Sequence, residues 1–276
     1  MNYERNIKDN FLIYNEAFKS VLLTGPRQVG KTTFLLDIKE DERKYVTLDD
    51  LELRKIAKEN PKQFIEMYSP PAIIDEIQYA PDLMSYIKIV CDNTKEKGLY
   101  WLTGSQKIQL MKNVSETLAG RMGILEMNSF SYREITKSKY IIPDLNDLTK
   151  KEDIPKSTIL KNILNGGMPG LILESIKRNI YFKSYIDLYL ERDIRELKQI
   201  EDLNAFYTFL VSIATRACQI LNYSSIAKDC GKDEKTVKSW ISVLEATDII
   251  KLIYPLRKEE LKRITSAPKI IFMDSG

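Results

Sequence analysis

Residues 25–32 read Gly-Pro-Arg-Gln-Val-Gly-Lys-Thr and fit the phosphate-loop pattern Gly-x-x-x-x-Gly-Lys-Ser/Thr without a mismatch. Glycines at both ends let the backbone wrap a phosphate so that successive N–H groups point inward. The following helix directs the positive end of its dipole at the same anion. We expect Lys31 to contact the β- and γ-phosphates and Thr32 to place its hydroxyl on Mg²⁺. The predicted nucleotide-binding residues are Gly25, Pro26, Arg27, Gln28, Val29, Gly30, Lys31, Thr32 and Thr33.

Two adjacent carboxylates, Asp75 and Glu76, follow the apolar run 72–74. At the C-terminal end of a parallel strand, both would lie near the crevice where ligands bind in open α/β sheets. We expect Asp75 to hold the Mg²⁺ shell through water and Glu76 to polarise the attacking water. Alone, such a pair is more often an ordinary acidic turn, but the phosphate loop favours the functional interpretation.

Two hydroxyl residues, Thr103 and Ser105, come at the end of the next predicted strand. Either hydroxyl could hydrogen-bond the γ-phosphate or the lytic water, and Ser105 is the candidate we favour. The alternative is a turn built from small residues. The sequence does not separate these interpretations.

An arginine, Arg121, follows a predicted helix and the residues Leu-Ala-Gly, and it precedes a predicted strand. Ring-forming ATPases place an arginine finger at this point, where it neutralises charge that develops on the transferred phosphoryl group. The alternative is a surface arginine after a helix C-cap glycine. Both interpretations stay open.

Composition excludes several kinds of chemistry. The 276 residues include no histidine, so any general base must be a carboxylate or a lysine. The three cysteines are far apart and odd in number, which favours a reduced compartment. The N-terminus lacks the apolar core of a signal peptide, and the apolar stretch 205–221 reads as a buried helix rather than a membrane span. We therefore expect a cytoplasmic protein with no membrane partner.

The first half of the chain alternates short apolar runs with amphipathic segments. Strands are predicted at 21–23, 45–48, 72–74, 100–102 and 124–127. Helices are predicted at 32–38, 51–58, 61–67, 83–94 and 107–118. Strands separated by helices indicate an α/β fold with a parallel sheet and helices on both faces.

The second half reads as helices and one or two strands. A polar linker is predicted at 137–156, then helices at 157–164 and 174–197 around a turn at 165–170. A long helix from 204 precedes helices at 224–230 and 233–247 and a strand at 249–254, an order that resembles a winged helix-turn-helix. The predicted domains are an AAA-type ATP-binding core at 1–138, a linker and helical lid at 139–202, and a winged helix with the start of a truncated C-terminal domain at 203–276.

Five sequence segments together resemble one protein family. They are the phosphate loop at 25–32, Ile-Asp-Glu-Ile-Gln-Tyr-Ala-Pro at 74–81, Thr-Gly-Ser at 103–105, Leu-Ala-Gly-Arg at 118–121 and Gly-Gly-Met-Pro at 166–169. The chain is similar to prokaryotic AAA-type ATPases that join an ATP-binding core to a winged helix and a restriction-endonuclease-like domain. The resemblance implies an AAA-type P-loop NTPase core, a helical lid, ATP rather than GTP, Mg²⁺ and hydrolysis.

One departure from the family concerns its last domain. Family members continue well past residue 276, so nuclease activity should not be carried over to this sequence. The sequence is consistent with a shortened or split member, or with a partial product. No guanine-recognition motif is complete, which disfavours a GTPase. A small-molecule kinase stays open, although no residue marks a phosphate acceptor.

The predicted winged helix has two possible partners. Lys232, Lys235 and Lys238 share one helix face, and four basic residues follow in the predicted wing at 257–263. However, residues 224–263 hold nine basic and seven acidic residues, so the segment is nearly neutral. DNA contact and protein contact both remain open, as does a homo-oligomer.

The sequence thus predicts an enzyme that hydrolyses Mg-ATP to move a lid and a winged helix. The alternative is a slow nucleotide-dependent switch, or a protein-binding module, in a regulatory or defence complex. The two differ in turnover, since an enzyme releases phosphate repeatedly and a switch holds its nucleotide.

Overall fold

A sheet of five parallel strands forms the centre of the N-terminal half, in the part of the chain that a computed structural model describes. The strands are β1 (Ser20–Thr24), β2 (Lys44–Thr47), β3 (Ala72–Asp75), β4 (Tyr100–Thr103) and β5 (Met122–Glu126). Their order is β2-β3-β4-β1-β5. Every residue of β1, β3 and β4 is buried, as parallel strands covered on both faces require. The predicted α/β parallel-sheet core is confirmed.

The structure describes residues 3–104, 118–138, 154–174, 176–189, 202–256 and 266–276. The chain divides into two units, Met1–Ile159 and Leu160–Gly276. The helices of the first half are α1 (Lys8–Ala17), α2 (Lys31–Ile38), α3 (Leu51–Glu59), α4 (Pro61–Met67), α5 (Leu83–Asp92) and α6 (Tyr132–Thr136). The helices of the second half are α7 (Lys156–Asn165), α8 (Pro169–Glu174), α9 (Arg178–Tyr189), α10 (Leu203–Ala214), α11 (Tyr223–Cys230) and α12 (Glu234–Ala246).

Helix α1 has no counterpart in the sequence-based prediction. Only Phe11 of this helix is buried. Its ring meets Phe34 of α2 edge-on at 5.5 Å and Trp101 of β4 edge-on at 5.0 Å between centroids. One aromatic anchor in a mostly polar helix gives no clear 3.6-residue pattern, so only the packing reveals the helix.

The parallel strands give the sheet two chemically different edges. The segments that follow β1, β3 and β4 leave from the C-terminal edge, where the phosphate loop, Asp75 and Glu76 lie. At the N-terminal edge, buried Arg43 donates to Glu40 Oε2 at 2.6 Å and to the Gly98 carbonyl at 3.0 Å. Its guanidinium also stacks 3.8 Å from the centre of the Trp101 ring. Arg43 therefore fastens the edge that lies away from the phosphate loop.

Three helices of the C-terminal unit, α10, α11 and α12, share a hydrophobic core with an antiparallel strand pair, β6 (Ile250–Ile253) and β7 (Lys269–Phe272). Phe206, Phe209 and Trp240 pack together with ring centroids 5.1–5.3 Å apart. Trp240 is 5% exposed. Trp240 is therefore a packing residue of this core.

Two sequence-based helix predictions were wrong. The apolar stretch 205–221 is helical only to Ala214, because the chain then turns. Cys218 lies in the left-handed region, and the Cys218 amide donates to the Ile270 carbonyl at 2.7 Å. The predicted turn at 165–170 already contains the start of α8 at Pro169, and the helix predicted from 174 begins at Arg178. Proline is favoured in the first turn of a helix, which explains the early start.

Candidate nucleotide-binding site

The phosphate loop has backbone geometry that its residue types permit and other residues would resist. Gly25 has φ of 136°, and a Cβ there would lie 2.1 Å from the Met127 carbonyl oxygen. Gly30 has φ of 89° and caps the N-terminus of α2. The backbone path of the loop therefore requires glycine at both positions. Between them, Gln28 also adopts the left-handed region, with φ of 61°.

Lys31 lies at the loop with its side chain folded back over it. The residue is 7% exposed, and its Nζ donates to the carbonyls of Gly25 at 2.9 Å and Pro26 at 2.7 Å. The ammonium group thus stays against the loop backbone rather than in solvent. A cation held there, together with inward N–H groups, fits a phosphate ligand.

Thr32 joins the loop to the carboxylate at the end of β3. Its hydroxyl is 3.0 Å from both Asp75 Oδ1 and Asp75 Oδ2. Asp75 is 5% exposed. The structure therefore brings together the two residues that the sequence predicts as the Mg²⁺ ligands. The exposed Thr33 lies one position further along α2.

A second hydroxyl, that of Thr103 at the end of β4, binds the same carboxylate. Thr103 is fully buried; its Oγ1 donates to Asp75 Oδ1 and accepts from the Glu76 amide at 3.1 Å. Thr103 thus contacts both acidic residues, Asp75 at its carboxylate and Glu76 at its backbone amide. Ser105, the candidate favoured from the sequence, lies outside the described residues.

Glu76 leaves the strand in a conformation that non-glycine residues seldom adopt, with φ of 57° and ψ of 46°. Its side chain is partly exposed, and Glu76 Oε2 accepts a hydrogen bond from the Gln78 amide. Left-handed residues of this kind are common at functional sites. The turn places a carboxylate beside Asp75 without burying it.

Tyr45 of β2 is a site residue that was not predicted from the sequence. Its hydroxyl donates to Asp75 Oδ2 at 3.2 Å. Burial and, second, the charge of Asp75 raise the pKa of Tyr45 to about 12, so the hydroxyl keeps its proton at neutral pH. No motif marks this position, and the contact follows only from the pairing of β2 with β3.

Arg121 lies away from the phosphate loop of its own chain. It immediately precedes β5, and β5 runs parallel to β1 with Ser20 opposite Met122. The loop follows the other end of β1, about 16 Å away at a rise of about 3.3 Å per residue. Arg121 forms an ion pair with Asp92 and donates to the Ala119 carbonyl at 3.2 Å. It cannot reach its own loop from this position.

The residues at the sheet edge fit Mg²⁺ better than a metal with an all-protein shell. In the described ranges, no three His, Cys, Asp or Glu residues cluster closely enough to hold a metal ion. Mg²⁺ usually takes one or two protein oxygens and fills its shell with water and phosphates. One hydroxyl, from Thr32, and one carboxylate, from Asp75, match that demand.

Sheet order, phosphate loop and carboxylate pair together define the N-terminal unit as a P-loop NTPase core. Residues 17–136 match the family model described as an AAA domain. This segment is therefore similar to an AAA domain, in agreement with the P-loop NTPase core. Residues 156–276 match a second model, described as a domain of unknown function (DUF8612).

Two curated relatives are similar to most of the chain. They are the uncharacterized proteins Rv2008c of Mycobacterium tuberculosis and Mb2031c of Mycobacterium bovis, each 24% identical over 260 residues. The match covers 93% of this chain and 54% of each relative. The chain therefore spans about half the length of the curated relatives it matches.

Solved structures show only distant likeness. A signal transduction ATPase with a tetratricopeptide repeat sensor from Pyrococcus horikoshii is 14% identical, with 99% of this chain and 41% of that chain covered and a TM-score of 0.39. A chain of the Drosophila ORC complex with AT-rich DNA and Cdc6 is 10% identical, with 96% and 85% covered and a TM-score of 0.27. Likeness at these scores carries no functional information.

Across the described residues, no helix is both long enough and apolar enough to cross a membrane.

The Tyr45 contact leads to a test of the metal site. We predict that Tyr45→Phe raises the Mg²⁺ concentration for half-maximal ATP binding by about threefold, because Asp75 loses one donor that orients it. ATP titrations across a Mg²⁺ series measure this. Tyr68→Phe is the matched control, since Tyr68 precedes β3 at the other edge. An unchanged or lower Mg²⁺ requirement for Tyr45→Phe contradicts the assignment.

Proposed function

We propose that the chain binds Mg-ATP at the phosphate loop and hydrolyses it to ADP and phosphate. The observation that carries this proposal is the convergence of Thr32, Thr103 and Tyr45 on Asp75, with Glu76 beside them. Three hydroxyls from three different segments orient one carboxylate next to the loop. A merely structural acidic turn has no need of such an arrangement.

The loop and Lys31 bind the phosphates in this proposal. Loop N–H groups and the start of α2 meet the anion, and Lys31 exchanges the Gly25 and Pro26 carbonyls for phosphate oxygens. Thr32 and Asp75 would hold Mg²⁺, which would compensate the charge of the phosphates. The Thr32 hydroxyl donates its proton to Asp75, so its oxygen would stay available as a ligand.

Glu76 acts as the general base. Its carboxylate accepts a proton from water as the water oxygen attacks the γ-phosphorus, the bond to the bridging oxygen breaks, and ADP leaves. Thr103 fixes the Glu76 backbone, and therefore the direction of the side chain, through the amide hydrogen bond. The Gln78 side-chain amide donates to Glu76 Oε2. For Glu76 to accept the proton, this side chain moves aside, or it holds Oε2 while Glu76 Oε1 faces the water.

The hydrogen bond from Gln78 favours a second candidate, the nucleotide switch with slow turnover. An amide that occupies one oxygen of the base lowers its availability as a proton acceptor. Both candidates use the same binding residues and differ in rate. Phosphate release at saturating ATP separates them, since a switch turns over rarely without its partner.

We infer that ATP turnover drives movement of the following segments, a helical lid that includes α7–α9 and a winged helix formed by α10–α12 with β6 and β7. Lys232 pairs with Asp202 at 2.7 Å, and Lys238 lies 5.3 Å from the centre of the Tyr223 ring. Two of the three lysines on the predicted basic face therefore already have partners in the protein. This favours a protein partner over DNA, and phosphate release with and without duplex DNA tests the choice.

The first test concerns the base. We predict that Glu76→Gln keeps ATP affinity and lowers hydrolysis by about 10²-fold or more, because an amide cannot accept the proton. Affinity comes from titration calorimetry and the rate from steady-state phosphate release. Glu66→Gln is the matched control, since Glu66 is exposed on α4. Hydrolysis by Glu76→Gln at the wild-type rate would show that Glu76 is not the base.

The second test concerns Arg121 and the oligomer. Because Arg121 lies at the opposite sheet edge from its own loop, we propose that it acts on the loop of a neighbouring copy. Arg121→Ala should then lower the rate by about 10³-fold and spare ATP affinity, as loss of an arginine finger does. Mixing it with Lys31→Ala should restore activity, because mixed interfaces pair an intact loop with an intact arginine.

The control for this test is Lys95→Ala, which removes an exposed cation from the segment after α5. Sizing in ATP establishes whether copies associate. A monomer in ATP whose Arg121→Ala form keeps full activity would make Arg121 a surface arginine paired with Asp92.

A further inference from the structure

Near the N-terminus, Arg5 is a buried cation at the outer side of the phosphate loop. It is 8% exposed, and its guanidinium donates to three groups in different segments. Nε donates to Glu134 Oε1 at 3.0 Å, Nη1 to the Val29 carbonyl at 2.8 Å, and Nη2 to the Asn128 carbonyl. The Phe130 ring stacks on it at 4.6 Å. We propose that Arg5 is a positioning residue that fixes the phosphate loop for nucleotide binding.

The contact with Val29 acts on a peptide unit that is expected to face the phosphate. In a planar trans peptide, the carbonyl of Val29 and the N–H of Gly30 point in opposite directions. Holding the carbonyl on Arg5 therefore directs the Gly30 N–H away from Arg5. Gly30 has no Cβ to limit its rotation, so an external contact must fix this peptide.

Glu134, the carboxylate that pairs with Arg5, is itself held by backbone hydrogen bonds. Glu134 is 7% exposed and accepts from the Asn6 amide at 2.8 Å and from the Ser131 amide at 2.7 Å. The Ser131 hydroxyl in turn accepts from the Glu134 amide, which completes the capping box of α6. The segment after β5 is thus a rigid anchor, and Arg5 is the link from this anchor to the loop.

Burial makes this link different from a surface ion pair. Exposed pairs contribute little because water and salt replace them. A buried pair that loses one partner leaves the other charge and its acceptors without compensation. The carbonyls of Val29 and Asn128 would lose their donor together, so the loop should loosen as well as the fold.

A second buried arginine supplies a matched control. Arg43 is 5% exposed and also has a carboxylate partner, a carbonyl acceptor and an aromatic ring, namely Glu40, Gly98 and Trp101. It fastens the N-terminal edge of the sheet, away from the loop. Loss of either arginine should lower thermal stability, but only loss of Arg5 should weaken phosphate binding.

The inference rests on the proposed function, because it concerns the same nucleotide site. The experiment measures Kd for ADP and for ATP by calorimetry, with Mg²⁺, on wild type, Arg5→Gln, Arg5→Lys, Arg43→Gln and Arg43→Lys. All are measured well below their melting temperatures. ADP is included because it carries phosphates for the loop but no γ-phosphate for the catalytic groups.

We expect Arg5→Gln to raise the Kd for ADP and the Kd for ATP by the same factor, about tenfold or more, as loss of a charge-assisted hydrogen bond predicts. Arg5→Lys keeps the charge opposite Glu134 but lacks the planar fork, so it should fold and show a smaller loss of about threefold. Both Arg43 variants should bind both nucleotides as wild type does. If Arg5→Gln fails to fold, the comparison of the two lysine variants decides.

Two results would overturn the inference while leaving the proposed function intact. One is nucleotide affinity within about twofold of wild type in the folded Arg5 variants. The other is an equal loss of nucleotide affinity in the Arg43 variants, which would show that the effect comes from general loosening of the fold. Absence of ADP and ATP binding by the wild-type protein would instead overturn the proposed function and this inference together.

Discussion

The hydroxyl of Thr32 binds both oxygens of Asp75, and this contact joins the phosphate loop to the carboxylate end of β3. Thr32 lies in α2, which follows β1, and Asp75 ends β3; these two strands are not neighbours, because β4 lies between them. The buried Thr103 at the end of β4 fills that gap with a hydroxyl of its own. The site therefore depends on three parallel strands that end at the same level, and the apolar burial of the sheet is what keeps them there.

The parallel core was largely predictable because its signals are local. Continuous apolar runs mark strands buried on both faces, and the phosphate-loop pattern fixes where β1 ends and α2 begins. The contacts of Tyr45 and Arg5 were not predictable in the same way. Tyr45 reaches a residue 30 positions away, and Arg5 reaches one 129 positions away. Pairings at such separations follow from strand order and loop packing, which one sequence does not reveal.

The C-terminal unit shows how long-range contacts override local periodicity. Residues 205–221 have the spacing of one apolar helix, yet α10 ends at Ala214 because Cys218 and Leu221 donate to the backbone of the segment that contains β7. Likewise, the Gly167 amide donates to Asp274 at 2.9 Å, so the Gly-Gly-Met-Pro segment packs on the end of the chain.

The central claim is that residues 25–32 bind the phosphates of ATP. Titration calorimetry of Mg-ATP against the wild-type protein and Lys31→Ala tests it most directly, with thermal melts to show that both are folded. The account predicts saturable binding to wild type with one ATP per chain, and loss of tight binding by the folded variant, because the phosphates lose a major cation of the site. Equal affinity of wild type and a folded Lys31→Ala protein would contradict it.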